Sequence, residues 1–381
     1  MPDWNTLAVG DNLDVMARLA AGGASYDVAY LDPPYNTGSA LAYVDSPAGG
    51  HDAWTARLRP RLEAVRDLLA PTGAVWLSID DHEVAHLRLL CDDVLGERNR
   101  LAQVVVQLNA KGRQLGRWFA TDHEYLLVYA RDARRCTLDP TTADSVRPSD
   151  FPLVADDGRR YRHLPLRNTN KRFTPATAPT MRYPLWGDPV SGRVATTPFA
   201  GAREVLPVFG DGAPAVWRWS APRVDERGDD LVCRVVQGPA GERVDVSQRD
   251  WLTPDRRKKL RTVWPAEEVG STDTAVAELK ALVGPVFASP KPTPLLRRIL
   301  GTAPSDARVL DPYAGSGTTG HAVALANLAD GGTRTCTSIE VDAPVRPGSF
   351  ADLAGLATTA DVTRRRLAAV AERLGGGYTE L

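Results

Sequence analysis

Two consecutive prolines at the end of an apolar run constrain this chain more than any other stretch of it. Val28-Ala29-Tyr30-Leu31 reads as a buried strand, and Asp32-Pro33-Pro34-Tyr35 follows it directly. Proline has a fixed φ and no N–H, so the pair cannot continue a central strand and leaves a stiff segment whose carbonyls are free to accept from a ligand. A carboxylate and an aromatic ring flank that segment. Taken alone, the same residues also read as a plain turn after a strand, where Asp and Pro are common.

A second stretch, far away in sequence, shifts the balance. Arg308-Val309-Leu310-Asp311-Pro312-Tyr313-Ala314-Gly315-Ser316-Gly317-Thr318-Thr319-Gly320 reads as a strand, a glycine loop and a helix start, with an apolar helical run after it. Gly315 and Gly317 allow positive φ and close backbone approach, while Ser316, Thr318 and Thr319 can cap the helix and present N–H groups to an anionic ligand. A glycine loop by itself is a weak signal, and a strand-to-helix turn without a ligand is the alternative.

Together the two stretches resemble the catalytic and AdoMet-binding motifs of DNA amino-methyltransferases, with the catalytic motif first in the chain, the order of the β group. The resemblance extends to Gly10-Asp11-Asn12-Leu13, Asn36-Thr37-Gly38, Leu77-Ser78-Ile79-Asp80-Asp81-His82-Glu83, His123-Glu124-Tyr125, Trp217-Arg218-Trp219-Ser220, Pro290-Lys291-Pro292 and Thr319-Gly320-His321-Ala322-Val323. It is similar above all to the modification subunits of type III restriction systems, and covers both ends of the chain, the middle only in short islands. Tyr313 stands where the family usually has Phe, and the chain is shorter than typical subunits of that type.

The resemblance implies a doubly wound AdoMet-dependent methyltransferase sheet with a circularly permuted motif order and an inserted target-recognition domain. It implies catalytic roles for Asp32, Pro33, Pro34 and Tyr35. S-adenosyl-L-methionine would be held by Asp11 and Asn12, which also read as a plain helix cap, by Lys291, whose turn supports the methionine part, and by Asp311, Tyr313, Ala314, Gly315, Ser316, Gly317, Thr318 and Thr319. An acidic residue ending the strand 335–340 would bind the ribose hydroxyls, Glu340 first and Asp342 in reserve. Asp opening the catalytic loop, followed by Asn36-Thr37-Gly38, looks like the adenine-specific branch, with N4 of cytosine as the alternative target. A non-catalytic DNA-binding module on the same fold is the rival from another class. The partners implied are double-stranded DNA, then a restriction or other defence-system subunit, or a second copy of the chain.

Composition adds limits. At 381 residues the chain can bury a large core and a smaller second one. No apolar run approaches the ~20 residues of a membrane span, and the N-terminus lacks the basic and apolar regions of a signal peptide, so a cytoplasmic protein is expected. Cys91, Cys136, Cys233 and Cys336 lie far apart, without zinc-site or disulfide spacing, and no metal is expected; His82 and His86 share a helix without metalloprotease spacing. The net charge of −1 argues against indiscriminate coating of nucleic acid, but residues 131–270 carry 24 Lys and Arg against 19 Asp and Glu, a net +5 that leaves −6 to the rest.

Taken in order, 1–130 alternates strands and helices and forms the catalytic half. Apolar spacing predicts a helix over 54–69, a buried strand over 74–79, a helix from Val84 stopped by Gly96, and strands over 101–108 and 124–130, which together point to a parallel sheet. The segment 131–272 holds 15 of the 29 prolines over its first 140 residues and five of the nine tryptophans, without a long helical period, and suits a DNA-contacting insertion. Its candidates are Arg160, Arg162, Arg167, Lys171, Arg172, Arg218, Arg256, Arg257, Lys258 and Lys259, joined by Lys111 and Arg113 in the glycine-rich stretch 109–118; a solvated charged face is the plain alternative. Residues 273–381 return to α/β character as the AdoMet-binding half, ending in a helix over 359–374 stopped by Gly375-Gly376-Gly377. Leu31 and Leu310 are expected to end adjacent parallel strands.

Overall fold

The computed structural model describes residues 3–37, 50–112, 118–142, 147–238 and 241–381. They divide into two compact units, one of Met1–Thr141 with Lys259–Leu381, the other of Thr142–Lys258. Residues 131–141 and 259–272 therefore belong with the larger unit: Trp264 is buried in its core, and its strand pairs with strand 100–107.

The larger unit is a nine-stranded sheet with helices on both faces. In chain order its strands are β1 (Asp3–Val9), β2 (Tyr26–Leu31), β3 (Leu69–Ile79), β4 (Arg100–Gln107), β5 (His123–Ala130), β6 (Val263–Trp264), β7 (Arg308–Asp311), β8 (Thr335–Glu340) and β9 (Gly377–Glu380). They lie side by side as β6-β4-β5-β3-β2-β7-β8-β1-β9. Its principal helices are α1 (Asn12–Ala21), α2 (Gly50–Leu68), α3 (Val84–Cys91), α4 (Thr272–Val283), α5 (Thr293–Leu300), α6 (Thr318–Asp330) and α7 (Thr359–Leu374).

The central strands are buried on both faces, which is why they read as continuous apolar runs. Val28 and Tyr30 point into one core with Trp76, Val309, Leu296 and Val323, while Ala29 and Leu31 point into the other with Leu58, Leu62, Leu77 and Leu310. The helix predicted over 54–69 forms as α2, with Trp54, Leu58, Leu62 and Val65 inward. The helix from Val84 runs to Cys91, continues as a wider turn to Gly96 at φ 91°, and so stops where glycine permits. Helix 359–374 forms as expected, capped by Thr358, which accepts from the Asp361 N–H, and ends at Gly375 with φ 72°.

The sheet is mixed rather than all parallel. β5 runs antiparallel to both β3 and β4, and every other pairing is parallel. Parallel neighbours need a crossover connection, usually a helix, and the glycine-rich segment between β4 and β5 has no helical period to supply one. β2 and β7 are adjacent and parallel, with Val28 opposite Val309 and Ala29 opposite Leu310. The strand order reverses between them, and in such sheets ligands collect beyond the carboxyl ends at that point.

The smaller unit is built from short antiparallel strands. Leu153–Val154, Arg160–Pro165, Gly241–Trp251 and Leu231–Gly238 form one sheet, and Val194–Ala195, Leu185–Gly187 and Arg203–Val205 another. Leu166, Trp217, Trp219, Leu231, Cys233 and Val246 fill its core. A Cβ on Gly187 would lie 2.5 Å from Cys233 Sγ, so the close approach requires glycine there. All four cysteines are free.

Candidate active site

β2 ends at Leu31 and the chain enters the proline segment with Asp32 at the strand end. The segment is pinned from outside. Trp54 Nε1 donates to the Pro34 carbonyl at 2.7 Å, and Asn36, held at φ 59°, donates through Nδ2 to Glu83 Oε1 at 2.6 Å. The Pro33 carbonyl accepts no hydrogen bond among the described residues. Gly38, the last residue of the Asn36-Thr37-Gly38 stretch, lies outside the described residues.

Four polar groups from three parts of the chain meet at this loop. The Tyr35 hydroxyl lies 2.9 Å from Asp32 Oδ1 and 3.0 Å from Glu124 Oε2, on β5. Lys291, just before α5, places Nζ 2.7 Å from that hydroxyl, 2.8 Å from Glu124 Oε2 and 3.3 Å from Asp32 Oδ1, and 4.7 Å from the centre of the Tyr35 ring. Burial raises the Asp32 carboxyl above its usual range, while the Lys291 charge opposes the rise. Burial works against the Lys291 ammonium, but Asp32 and Glu124 outweigh it and hold its pKa above the ordinary value. Lys291 thus grips the Asp32 loop, and it also lines the cavity beside that loop, where a cofactor-supporting turn is expected of it. Glu124 was visible in the sequence only as part of His123-Glu124-Tyr125, with no sign of its role.

Beside this loop opens a cavity of about 700 Å³, within the ~300–1,000 Å³ typical of small-molecule sites. It is lined by Asp11 and Asn12, by Asp32, Pro33 and Pro34, by Lys291, by Asp311, Tyr313, Ala314, Gly315, Ser316, Thr318 and Thr319, and by Glu340. The cavity gathers nearly every residue the motifs singled out; Tyr35 and Gly317 adjoin lining residues in the chain without being among them, and Asp342 is exposed and takes no part. Arg57, Arg61, Phe287, Ser289, Arg346 and Thr359 also line it and had no sequence signal.

The walls are fixed by internal bonds. Asp11 caps α1, accepting the Leu13 N–H at 2.9 Å, and accepts Arg61 at 2.8 Å through its other oxygen. Arg61 Nε donates to Asn12 Oδ1 at 2.6 Å, and Asn12 Nδ2 donates to the Pro312 carbonyl at 2.9 Å, tying the first loop to the glycine loop. Asp311 accepts the Tyr313 N–H at 3.0 Å and the Thr319 hydroxyl at 2.5 Å. Glu340 Oε2 accepts the Gly315 N–H at 2.6 Å. Burial pushes both carboxyls up to about 7.

The glycine loop differs in one respect from its sequence reading. Gly317, at φ 77°, is the residue before α6, and no side chain caps that helix. Ser316 and Thr318 instead accept from Arg366 of α7, at 3.2 and 2.8 Å, and Arg366 is fully buried. Its remaining amino group lies 3.2 Å from His321 Nδ1, whose pKa burial and the guanidinium depress to about 3. A buried cation claims the hydroxyls that would otherwise cap the helix.

The DNA-contact candidates scatter. Asp250 is buried and draws two cations: Arg256 meets it at 2.8 and 3.0 Å and Arg162 at 2.8 Å. Lys258 donates to Asp150 at 2.6 Å. The run Arg256-Arg257-Lys258-Lys259 is therefore not one solvent-facing patch, because two of its four charges neutralise carboxylates of their own unit. Arg257 and Lys259 are exposed, as is Arg172; Arg218 donates to Gln248 at 2.9 Å, and Lys111 pairs with Asp273 at 3.0 Å. Arg113 lies outside the described residues. His82 pairs with Asp80, while His86 lies with His51 and Glu83 in the one group among the described residues with three donors close enough for a metal ion.

Comparison with known proteins matches residues 26–329 to the family model described as DNA methylase. The type II methyltransferase M.KpnI of Klebsiella pneumoniae is 32% identical over 95% of this chain and 87% of its own. The EcoPI Mod subunit of the type III restriction-modification enzyme from Escherichia phage P1 is 29% identical over 95% of this chain, which spans only 61% of that subunit. Among solved structures, a putative DNA modification methylase from Thermus thermophilus, complexed with S-adenosyl-L-methionine, aligns over 99% of both chains at 14% identity and a TM-score of 0.45. The family match covers both the Asp32 loop and the glycine loop of the cavity, and the chain belongs to the DNA methylase family.

Proposed function

We propose that this protein transfers a methyl group from S-adenosyl-L-methionine to the N6 amine of an adenine extruded from a specific short sequence in duplex DNA. The observation that carries the reading is the meeting of Asp32 and the uncommitted Pro33 carbonyl with the glycine loop in one cavity.

An exocyclic amine is a poor nucleophile because its lone pair is delocalised into the ring. Asp32 and the Pro33 carbonyl each accept one N–H, draw the nitrogen toward tetrahedral geometry and stabilise the positive charge it gains. S-adenosyl-L-methionine supplies an electrophilic methyl on a sulfonium. The buried carboxyl of Glu340 suits the ribose hydroxyls, while Asp311 shapes the glycine loop from within. Such an amine is paired inside a duplex, so the base must leave the stack, and Tyr35 is the aromatic surface beside Asp32 to receive it.

The unit Thr142–Lys258 is the target-recognition part, with Arg172, Arg218 and Arg257 among its exposed basic residues and Lys259 directly after it. Relatives named as a type II methyltransferase and a type III Mod subunit support a role beside a nuclease of the same specificity; a DNA substrate places that role in the cytoplasm. No helix among the described residues is long and apolar enough to cross a membrane.

Modification-aware sequencing of DNA from cells expressing the chain tests this reading. N6-methyladenine at every copy of one short sequence is expected. N4-methylcytosine there would change the base and keep the site, and unmodified DNA would overturn the proposal.

A further inference from the structure

We infer that Lys291 and Glu124 complete the catalytic loop: Lys291 is a positioning residue that holds Asp32 as an oriented carboxylate, and Glu124 receives, through the Tyr35 hydroxyl, the proton the amine gives up. This rests on the reading that the chain methylates an exocyclic amine.

The geometry leaves few other roles for these residues. Lys291 has three N–H donors and finds three acceptors, Asp32, Glu124 and Tyr35, while its side chain is 12% exposed. A buried lysine and two carboxylates brought together from positions 32, 124 and 291 are costly to keep in a fold, and such clusters are where proton chemistry is found. The groups facing Asp32 are Tyr30 on its own strand, Tyr35, Glu124 from β5, Lys291 ahead of α5 and Asp311 from β7. Lys291 is the only cation among them, so without it a desolvated Asp32 between two other carboxyls would take up a proton and could no longer accept the amine N–H.

The chemistry then balances. The amine nitrogen forms its bond to the methyl carbon as the carbon–sulfur bond breaks, and that bond's electron pair stays on sulfur. The nitrogen, now positively charged, loses a proton to Asp32. Asp32 passes it to the Tyr35 oxygen, 2.9 Å away, as the Tyr35 proton moves to Glu124 Oε2, 3.0 Å away. Glu124, with 22% of its side chain exposed, returns the proton to water and the network to its starting charge. No further reactant is required.

Single-turnover methylation tests the relay, using the full chain, labelled S-adenosyl-L-methionine and a duplex of the sequence found modified in cells. Glu124→Gln keeps the size and acceptor oxygen but cannot take a proton, and should slow transfer by about 10²-fold, with cofactor and duplex affinities within roughly twofold of wild type. Lys291→Met should move the acid limb of the pH–rate profile upward by roughly one unit, and Lys291→Arg should move it back. A Glu124→Gln rate within about threefold of wild type, loss of cofactor binding in that variant, or an acid limb unmoved by Lys291→Met would each overturn the inference. A wild-type chain that methylates no base fails at the proposed function instead.

Discussion

Leu310 lies opposite Ala29 on neighbouring parallel strands, although 281 positions separate them in the sequence. The carboxylates that follow, Asp311 and Asp32, consequently come off adjacent strand ends into one cavity. The charge of Asp32 adds to the burial that raises Asp311, and neighbouring Glu124 does the same to Asp32. In the proposed reaction, methyl transfer to an amine would gain from these neighbouring carboxylates, since positive charge develops on the nitrogen beside them.

Burial of these carboxyls makes the fold pH-dependent. Asp311 has its folded pKa raised to about 7 from 3.8, so the stability it contributes is full below the lower value and is lost as pH rises through the higher one. Asp311→Asn mimics the protonated form. Ligand-free protein should be stabilised by it at pH ~8, by on the order of 3 kcal/mol, and scarcely changed at pH ~4. Glu340, also raised to about 7, keeps its own share of the slope. Thermal melts across this range check it, and a variant with the wild-type pH profile would contradict it.

Gly317 is required for a reason internal to the protein. It sits at φ 77°, and a Cβ there would approach Thr363 Cγ2 to 3.3 Å. Gly317→Ala should cost ~1–2 kcal/mol through the left-handed backbone alone. Gly317→Val should cost more and weaken cofactor binding by displacing the loop from α7, which calorimetry and melting together would register. Unchanged cofactor affinity in the valine variant would show that the loop tolerates the shift.

In and beside the smaller unit, the ion pairs separate structural cations from candidate phosphate contacts. Replacing Arg172 and Lys259 by Ala should lower the slope of log K against log salt for duplex binding by about two, without altering cofactor affinity. Arg256→Ala should instead leave buried Asp250 short of a partner and lower the melting temperature, with the salt slope unchanged. The reverse pattern would place the DNA contact at Arg256 and not at Arg172 and Lys259.

The cavity-lining ends of β2 and β7 were legible in the sequence, because prolines and glycines constrain the backbone through their own covalent structure. Helix 359–374 was legible through its apolar period. The reversal of β5 was not, since a period of two carries no direction. Nor was the placement of Glu124, a charged residue in a strand whose hydrogen-bond partners lie at positions 35 and 291. Arg256 reads in the sequence as a candidate DNA contact or a solvated charge and Arg366 carries no signal there, and only the fold shows that the first is held against Asp250 and the second enclosed behind the glycine loop.

Every other role proposed around the cavity depends on Asp32 acting on an amine of DNA. Purified wild-type chain and Asp32→Ala are incubated with labelled S-adenosyl-L-methionine and duplex DNA, which is then digested and its nucleosides analysed by mass spectrometry. N6-methyladenine is expected from the wild type, and from the variant a rate lower by about 10²-fold or more with cofactor binding retained. Methylation by Asp32→Ala at near the wild-type rate would contradict it.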